Sequence, residues 1–426
     1  MKLLYAFGIF LYGLAINIAS LFNHKASLWV KGRKNLFDQL ETKLRIPDTS
    51  RASRKLAWFH CASLGEFEQG RPLIEEFRLE HPEYFLLLTF FSPSGYEIRK
   101  DYSGADLVIY LPLDTRRNAR RFLNLVRPDI AFFVKYEFWF NYLRFLQADK
   151  IPGYLVSGIF RKDQHFFRWY GGWSRSILRG YTHIFVQNES SAALLAAAGI
   201  GQVTVSGDTR FDRVAAIASG KKDLPVIEAF VGKSRVLVAG SSWPPDEELI
   251  VRYMTEKSDS FKLIIAPHEI KQMQILALQK RFGSKALLYS SANVENARNS
   301  DILIIDSIGL LSQLYRFGSI AYIGGGFGAG IHNVLEAAVF GLPVLFGPDY
   351  RRFGEAVDLV SLNAAFPVRD YAGFEKQLSS LLSAPELLKQ AGYAAREYVD
   401  TRKGATRTIM KEIDIQGIPA SVAGGK

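Results

Sequence analysis

Two stretches of the sequence combine acidic, hydroxyl and glycine residues in patterns that suit chemistry. In LAWFHCASLGEFEQGRPLIEEF an apolar run ending at His60 leads into Ser63, Gly65 and Glu66, and a helical pattern follows. A carboxylate where a strand gives way to a helix is placed to take a proton from an attacking hydroxyl, the general-base task in a direct displacement. The plainer reading is that Glu66 or Glu68 complements the positive end of the helix dipole. Spacing alone leaves both open. In YIGGGFGAGIHNVLEAAVFGLPVLFGPDYRRFGEA a strand is followed by a glycine-rich turn, a helix expected to begin near Asn333, another strand and a Gly-Pro loop. Gly324, Gly325 and Gly326 bare their backbone amides beside a helix N-terminus, a setting that favours phosphate, and Glu336 in the first helical turn is placed for a ribose hydroxyl. Close helix–strand packing is the competing use of these glycines. The stretch is not the dinucleotide fingerprint, since it lies in the second half of the chain and no acidic residue follows the next strand in the expected context.

Smaller groups sit after other apolar runs. Arg210 in VSGDTRFDRV suits a phosphate, Ser241 and Ser242 in VAGSSWPPDEE suit hydrogen bonds to a nucleotide, and His268 with Glu269 in IIAPHE reads equally as a ligand contact or a structural histidine. No histidine–carboxylate set has metal-ligand spacing, and the single cysteine, Cys61, excludes an internal disulfide or a cysteine zinc site. The expected reaction is metal-independent and cofactor-free.

The elements that must position these residues are short apolar strands alternating with helical stretches. LAWFH, FLLLTFF, LVIYL, IAFFV, YLVSG, HIFVQN and VTVSG form one series ending near Gly207. VLVAGSS, KLIIAPHE, ALLYS, DILIIDS and AYIGGG form a second from about Arg235. Continuous apolar runs of this kind are strands buried on both faces of parallel sheets, so 426 residues divide into two doubly wound α/β domains. The expected limits are an N-terminal anchor at 1–24, a first Rossmann-like domain at 35–207, a linker at 208–233 around KKDLP, a second Rossmann-like domain at 234–390, and a C-terminal helix and tail at 391–426. Two such domains facing each other create a cleft at the carboxyl ends of their strands, where open α/β sheets bind ligands.

Leu3 to Phe22 is apolar, apart from Tyr5, Tyr12 and small polar residues, over the length needed to cross a bilayer core. Lys25, Lys31, Arg33 and Lys34 follow it, and such an excess of cations marks the cytoplasmic side. The rival readings are a secretory signal peptide, against which the length of the apolar stretch and the lack of a clear Ala-x-Ala site weigh, and an apolar helix lying in the membrane surface or in a groove of its own protein. IFRKDQHFFRWYGGWSRSILRG, from Ile159 to Gly180, interleaves Arg161, Lys162, Arg168, Arg175 and Arg179 with Phe166, Phe167, Trp169 and Trp173. With a net charge of +11 this suits an anionic membrane surface, or a solvated basic helix packed through its aromatics. Single-stranded nucleic acid would use the same residue types, but the apolar N-terminal segment argues for lipid, and no nucleic-acid partner is expected.

HCASLGEFEQGRPLIEEF resembles the His-x-Ala-Ser-x-Gly-Glu signature of the 3-deoxy-D-manno-octulosonic acid (Kdo) transferases. GIHNVLEAAVFGLPVLFGPDYRRFGEA resembles their Gly-His-Asn-Pro-Leu-Glu segment and Gly-Pro loop, and KYEFWFNYL, GDTRFD and GSSWPPDEE extend the likeness to about Ala356. The resemblance implies the GT-B fold, CMP-Kdo as donor, a lipid A precursor as acceptor in lipopolysaccharide biosynthesis, inversion at the transferred sugar, no metal, and residence at the inner membrane with the catalytic domains facing the cytoplasm. It implies Glu66 as general base within the Ser63–Gly65 turn. Glu137, Trp139 and Asn141 fall on the acceptor side. Arg210, Ser241, Ser242, His268, Gly324, Gly325, Gly326, Asn333 and Glu336 fall on the donor side. The sequence departs from the pattern where Pro-Arg-His is reduced to Pro-His-Glu, and where Lys135 and Phe140 replace an acid and a proline. A UDP-sugar transferase or epimerase on the same fold, and a non-catalytic nucleotide-sugar binder, are the competing functions; the HCASLGE motif and the carboxylate at Glu66 weigh against them.

Overall fold

The computed structural model describes residues 1–45, 54–220, 222–257, 261–328 and 330–416; Lys221 of the KKDLP stretch and the tail 417–426 lie outside them. The chain divides into two compact units, Met1–Arg213 with Gly404–Lys426, and Val214–Lys403.

The first unit is built on β1 (Lys55–Cys61), β2 (Tyr84–Phe90), β3 (Leu107–Tyr110), β4 (Ile130–Val134), β5 (Gly153–Gly158), β6 (His183–Val186) and β7 (Val203–Val205). They form one sheet in the order β3-β2-β1-β4-β5-β6-β7, parallel throughout. Alternate residues of each strand feed opposite cores: Leu56, Trp58, Phe85 and Leu87 pack on one face, and Ala57, Phe59, Leu86 and Leu88 on the other. This two-sided burial is why the strands read as unbroken apolar runs.

The second unit repeats the plan with β8 (Arg235–Ser242), β9 (Phe261–Pro267), β10 (Ala286–Leu288), β11 (Ile302–Ile304), β12 (Ile320–Ile323), β13 (Val344–Phe346) and β14 (Ala365–Pro367). Its parallel sheet runs β10-β11-β9-β8-β12-β13-β14. In each sheet the winding direction reverses once, at β1/β4 and at β8/β12, and the crevice outside the carboxyl ends at such a point is where doubly wound folds take ligands.

Two segments differ from the expected domain limits. The stretch 208–233 contains the helices Thr209–Ser219 and Pro225–Val231, and the boundary falls at Arg213/Val214. The last helix, Ala405–Gln416, returns to the first unit. Asp212 accepts hydrogen bonds from Gly404 N and from Thr406 N and Oγ1, and Ile409, Met410 and Ile413 enter the core around Phe59 and Phe77.

The N-terminal helix spans Lys2–Ala19 and is long and apolar enough to cross a membrane, with a mean hydropathy of 1.6. Tyr5, Ile9, Gly13 and Ile16 form a partly covered stripe, while Leu3, Phe7, Phe10 and Leu14 are exposed. Of the four flanking cations, Arg33 is used internally. Its guanidinium donates to the carbonyls of Trp29, Phe91 and Leu111 at 3.1, 2.7 and 3.0 Å and lies 3.7 Å from the Trp29 ring centroid, leaving Lys25, Lys31 and Lys34 at the surface.

Candidate active site

At the first switch point β1 ends at Cys61, and Ser63 caps the helix Leu64–Glu80, which carries Glu66 in its first turn. Gly70 lets this helix lie flat on the sheet: a Cβ there would sit 2.8 Å from Val134 Cγ2 and 3.3 Å from Cys61 Sγ. The close approach fixes Glu66 just beyond the strand ends. Ser63 Oγ donates to Glu66 Oε2. Glu66 is half-buried and Gly65 exposed, so the carboxylate is oriented yet reachable, as a proton acceptor needs to be.

Across the switch point β4 runs into Lys135, whose φ of 72° puts a side-chain-bearing residue in the left-handed region. Strain of this kind costs of order 1–3 kcal/mol and clusters at functional sites. It turns the chain so that Glu137 points back into the unit. Glu137 Oε2 accepts from Trp139 Nε1 and lies 3.0 Å from His60 Nε2, and the Glu137 carbonyl accepts from Tyr181 Oη. His60 Nδ1 in turn lies 2.8 Å from Thr89 Oγ1, which also accepts from Trp58 Nε1 at 2.8 Å. His60 is 0% and Glu137 4% exposed. A buried carboxylate needs partners, and His60 supplies one directly from the strand that delivers Glu66. Asn141, also buried, donates through its main-chain N to Asp114 Oδ2 at 3.1 Å and through Nδ2 to the Asp114 carbonyl at 2.7 Å.

Arg210 belongs to this first unit as well. Its Nε and Nη2 reach Asp208 Oδ2 at 2.8 and 2.7 Å, and its side chain is 30% exposed.

At the second switch point the chain is packed backbone to backbone. A Cβ on Gly324 would lie 2.2 Å from the Ser241 carbonyl oxygen, and one on Gly326 2.6 Å from Gly347 Cα. Ser241 has φ 53°, at the irregularity where β8 leaves its register with β9. Asp246, fully buried, ties these pieces together: it accepts from Tyr322 Oη at 2.8 Å and from Gly325 N and Trp243 N at 2.9 Å each. Burial pushes its carboxyl above the usual range despite those bonds. The helix expected near Asn333 is a single turn, Leu335–Ala338, because the chain bends away at Gly341, whose φ is 73°. Asn333 Oδ1 accepts from Leu335 N and its Nδ2 donates to Glu336 Oε1, both at 3.2 Å, so the two donor-side residues expected from the motif are in contact.

Ser242 is buried and its hydroxyl donates to Glu247 Oε1 at 3.1 Å. Three rings stack beside it: Trp243 on His268 at 4.6 Å and His268 on His332 at 4.5 Å. Desolvation, and then the neighbouring His268, lower the pKa of His332 to about 4. The ring is thus neutral at pH 7, in keeping with Nε2 accepting from Trp243 Nε1 at 3.2 Å. A cavity of about 290 Å³ opens among Ser242, Trp243, Pro244, Pro267, Glu269 and Arg281, at the carboxyl ends of β8 and β9. Its volume and mixed lining suit a small planar ring.

The sequence-derived residues thus fall into two groups: Ser63, Gly65, Glu66, Glu137, Trp139, Asn141 and Arg210 in the first unit, and Ser241, Ser242, His268, Gly324, Gly325, Gly326, Asn333 and Glu336 in the second. Sequence reasoning singled out neither His60 nor Asp246, Trp243 and His332. His60 had a signal, as the polar residue that closes the apolar run LAWFH. Asp246 stands three residues after Trp243 at the start of a helix, the spacing of a reciprocal cap.

The fold places the chain in the GT-B class. It superposes on the UDP-GlcNAc 2-epimerase of Neisseria meningitidis with a TM-score of 0.60 at 16% identity, over 84% of this chain and 98% of that one. It superposes on MurG of Acinetobacter baumannii with a TM-score of 0.53 at 12% identity, over 85% and 99%. At these identities the likeness is one of fold. Within that class, the chain is similar over most of its length to the Kdo transferases. The family model for 3-deoxy-D-manno-octulosonic-acid transferase matches residues 38–213. The 3-deoxy-D-manno-octulosonic acid transferase of Aquifex aeolicus is 29% identical over 78% of this chain and 87% of its own length. That of Rickettsia prowazekii is 25% identical over 89% and 82%, and that of Haemophilus influenzae 23% over 83% and 85%.

Proposed function

We infer that this protein is an inverting glycosyltransferase that moves Kdo from CMP-Kdo to a lipid A precursor, with Glu66 as general base. The observation that carries the reading is the placement of Glu66. It is a half-buried carboxylate fixed by Ser63 at the end of β1, inside the span matched by the Kdo transferase family. Glu66 would take the proton of the acceptor hydroxyl as that oxygen attacks the anomeric carbon of Kdo and CMP leaves. Glu137, Trp139 and Asn141 would orient the acceptor, and Ser241, Ser242, Asn333, Glu336 and the glycine turn would hold the nucleotide in the second unit. Arg210, held by Asp208 and partly exposed, would meet an anionic group. We assign no metal to the reaction.

The acceptor's acyl chains stay in a bilayer, so the first unit must work at a membrane surface, on this reading the cytoplasmic face of the inner membrane. The exposed apolar side of the N-terminal helix, together with Trp169 (92% exposed) and Tyr170, supports that placement. Exposed Arg161, Lys162, Arg168 and Arg179 accompany them. Arg175 is different: it donates to the carbonyls of Phe166 and Arg168 at 2.9 and 3.1 Å and holds the loop's shape. Sedimentation with anionic liposomes at low salt should weaken for Arg168→Glu by roughly fivefold, since a surface cation contributes about 1 kcal/mol; unchanged binding would remove this loop from the membrane contact.

Transfer itself is tested by incubating the full-length protein with CMP-Kdo and a lipid A precursor in the presence of a chelator and reading product mass. An acceptor heavier by one or more Kdo units is expected. No mass gain, or a gain only after magnesium is restored, contradicts the reading.

A further inference from the structure

The N-terminal helix is joined to the acceptor-side motif by contacts that a simple tether does not need. Tyr5 Oη donates to Asp114 Oδ2 at 2.6 Å, and the Tyr5 ring packs on Phe140 and Trp173 at 5.5 and 5.6 Å. Asp114 is 1% exposed, and the oxygen that accepts from Tyr5 also accepts the main-chain N–H of Asn141. Two turns along the helix, Tyr12 packs on Phe91 at 5.9 Å, and Phe91 packs on Trp139 at 4.7 Å. Tyr5 therefore reaches the Glu137–Asn141 segment directly at Phe140 and again through Asp114, and Tyr12 reaches it through Phe91. Anchoring asks only for length and hydropathy. A phenol bonded to a buried carboxylate is a specific, geometry-setting contact, because leaving that oxygen short of a donor costs its desolvation.

We propose that the N-terminal helix is a positioning element of the acceptor-side motif, with Tyr5 and Tyr12 holding Asn141 and Trp139 in the orientation that Glu137 and the acceptor require. The helix then serves two ends at once, its outward face meeting lipid while its inward stripe completes the site. That the motif serves the acceptor rests on the function proposed above; that the helix sets the motif's geometry rests on these contacts alone.

The test uses the full-length chain in detergent, where anchoring no longer matters. Tyr5→Phe removes only the hydroxyl. The expected result is a rise of roughly five- to tenfold in KM for detergent-dispersed lipid A precursor, the equivalent of one ordinary hydrogen bond, with KM for CMP-Kdo unchanged. Hydrogen exchange should quicken at the amides of 139–143 and stay the same in the second unit. An acceptor KM and an exchange pattern both equal to wild type would overturn the proposal and leave the helix a tether. Should Tyr5→Phe fail to fold, Tyr12→Leu, which keeps the Asp114 bond, takes its place with the same two readouts. If the wild type transfers no Kdo, the functional reading fails, and the exchange comparison still decides whether the helix sets the motif.

Discussion

The two switch points solve the same problem with opposite materials. At β1/β4 the geometry is set by side chains: a buried histidine, a tryptophan N–H and a tyrosine hydroxyl converge on the buried Glu137, and Glu66 stays half-buried at the strand end. At β8/β12 it is set by backbone: glycines press against carbonyls and Cα atoms, and one buried acid, Asp246, collects the loose N–H groups. The first arrangement suits chemistry on a varied acceptor, because side chains can be exchanged without moving the chain. The second suits a donor whose nucleotide is constant. It also shows that glycine-rich turns have to be judged by what surrounds them. Close packing accounts for Gly324 and Gly326, and that packing brings Ser241 and Ser242 against Gly324.

The difference makes substitutions at the two points unequal. Gly324→Ala should be the most damaging, because its Cβ meets a carbonyl oxygen at 2.2 Å and neither backbone can yield. A loss of at least about 3 kcal/mol, the upper end for overpacking, should appear as a lowered melting temperature and loss of CMP binding by calorimetry. A stable Gly324→Ala variant that binds CMP normally would break the contrast. His60→Ala leaves the Glu137 carboxylate buried and short of a partner, costing about 3 kcal/mol and most of the transfer activity. CMP affinity should be untouched if the damage stays in the first unit. At the other extreme, Gly65 is exposed, and a Cβ added there would meet only Ser63 Oγ, at 3.7 Å. Gly65→Ala should therefore change thermal stability by no more than about 0.5 kcal/mol, or raise it slightly through helix propensity; clear destabilisation would mean that the first switch point is also backbone-limited.

Much of this architecture could be read from the chain because the strands are buried on both faces and so advertise themselves. β2 is buried at every position, and its apolar run is unmistakable. β14 escaped notice for the converse reason: of Ala365–Pro367 only Ala365 is buried, and the strand ends in proline. The return of the final helix to the first unit was invisible locally, since it depends on Asp212 meeting Gly404 and Thr406 across 192 and 194 residues of sequence. Arg33 was read from its neighbours as a membrane-flanking charge, and only the fold reveals three carbonyls and an aromatic ring waiting for it. Among the candidate site residues, the family resemblance gave Glu66, Glu137, Trp139 and Asn141, and only the strand order brings them to one switch point. The buried partners His60 and Asp246 reveal their roles only once the strands beside them are paired.

The central claim is that Glu66 acts on the acceptor's proton, and one comparison bears on it most directly. Wild type and Glu66→Gln should be followed in single turnover with CMP-Kdo and a lipid A precursor, with melting temperature and CMP affinity measured on the same preparations. The amide keeps the shape and the Ser63 contact but accepts no proton. Transfer should therefore fall by more than about a hundredfold, the lower range for losing a general base, while folding and CMP binding stay at wild-type values. Turnover close to wild type in Glu66→Gln would contradict the assignment and return that glutamate to the role of a helix-dipole partner.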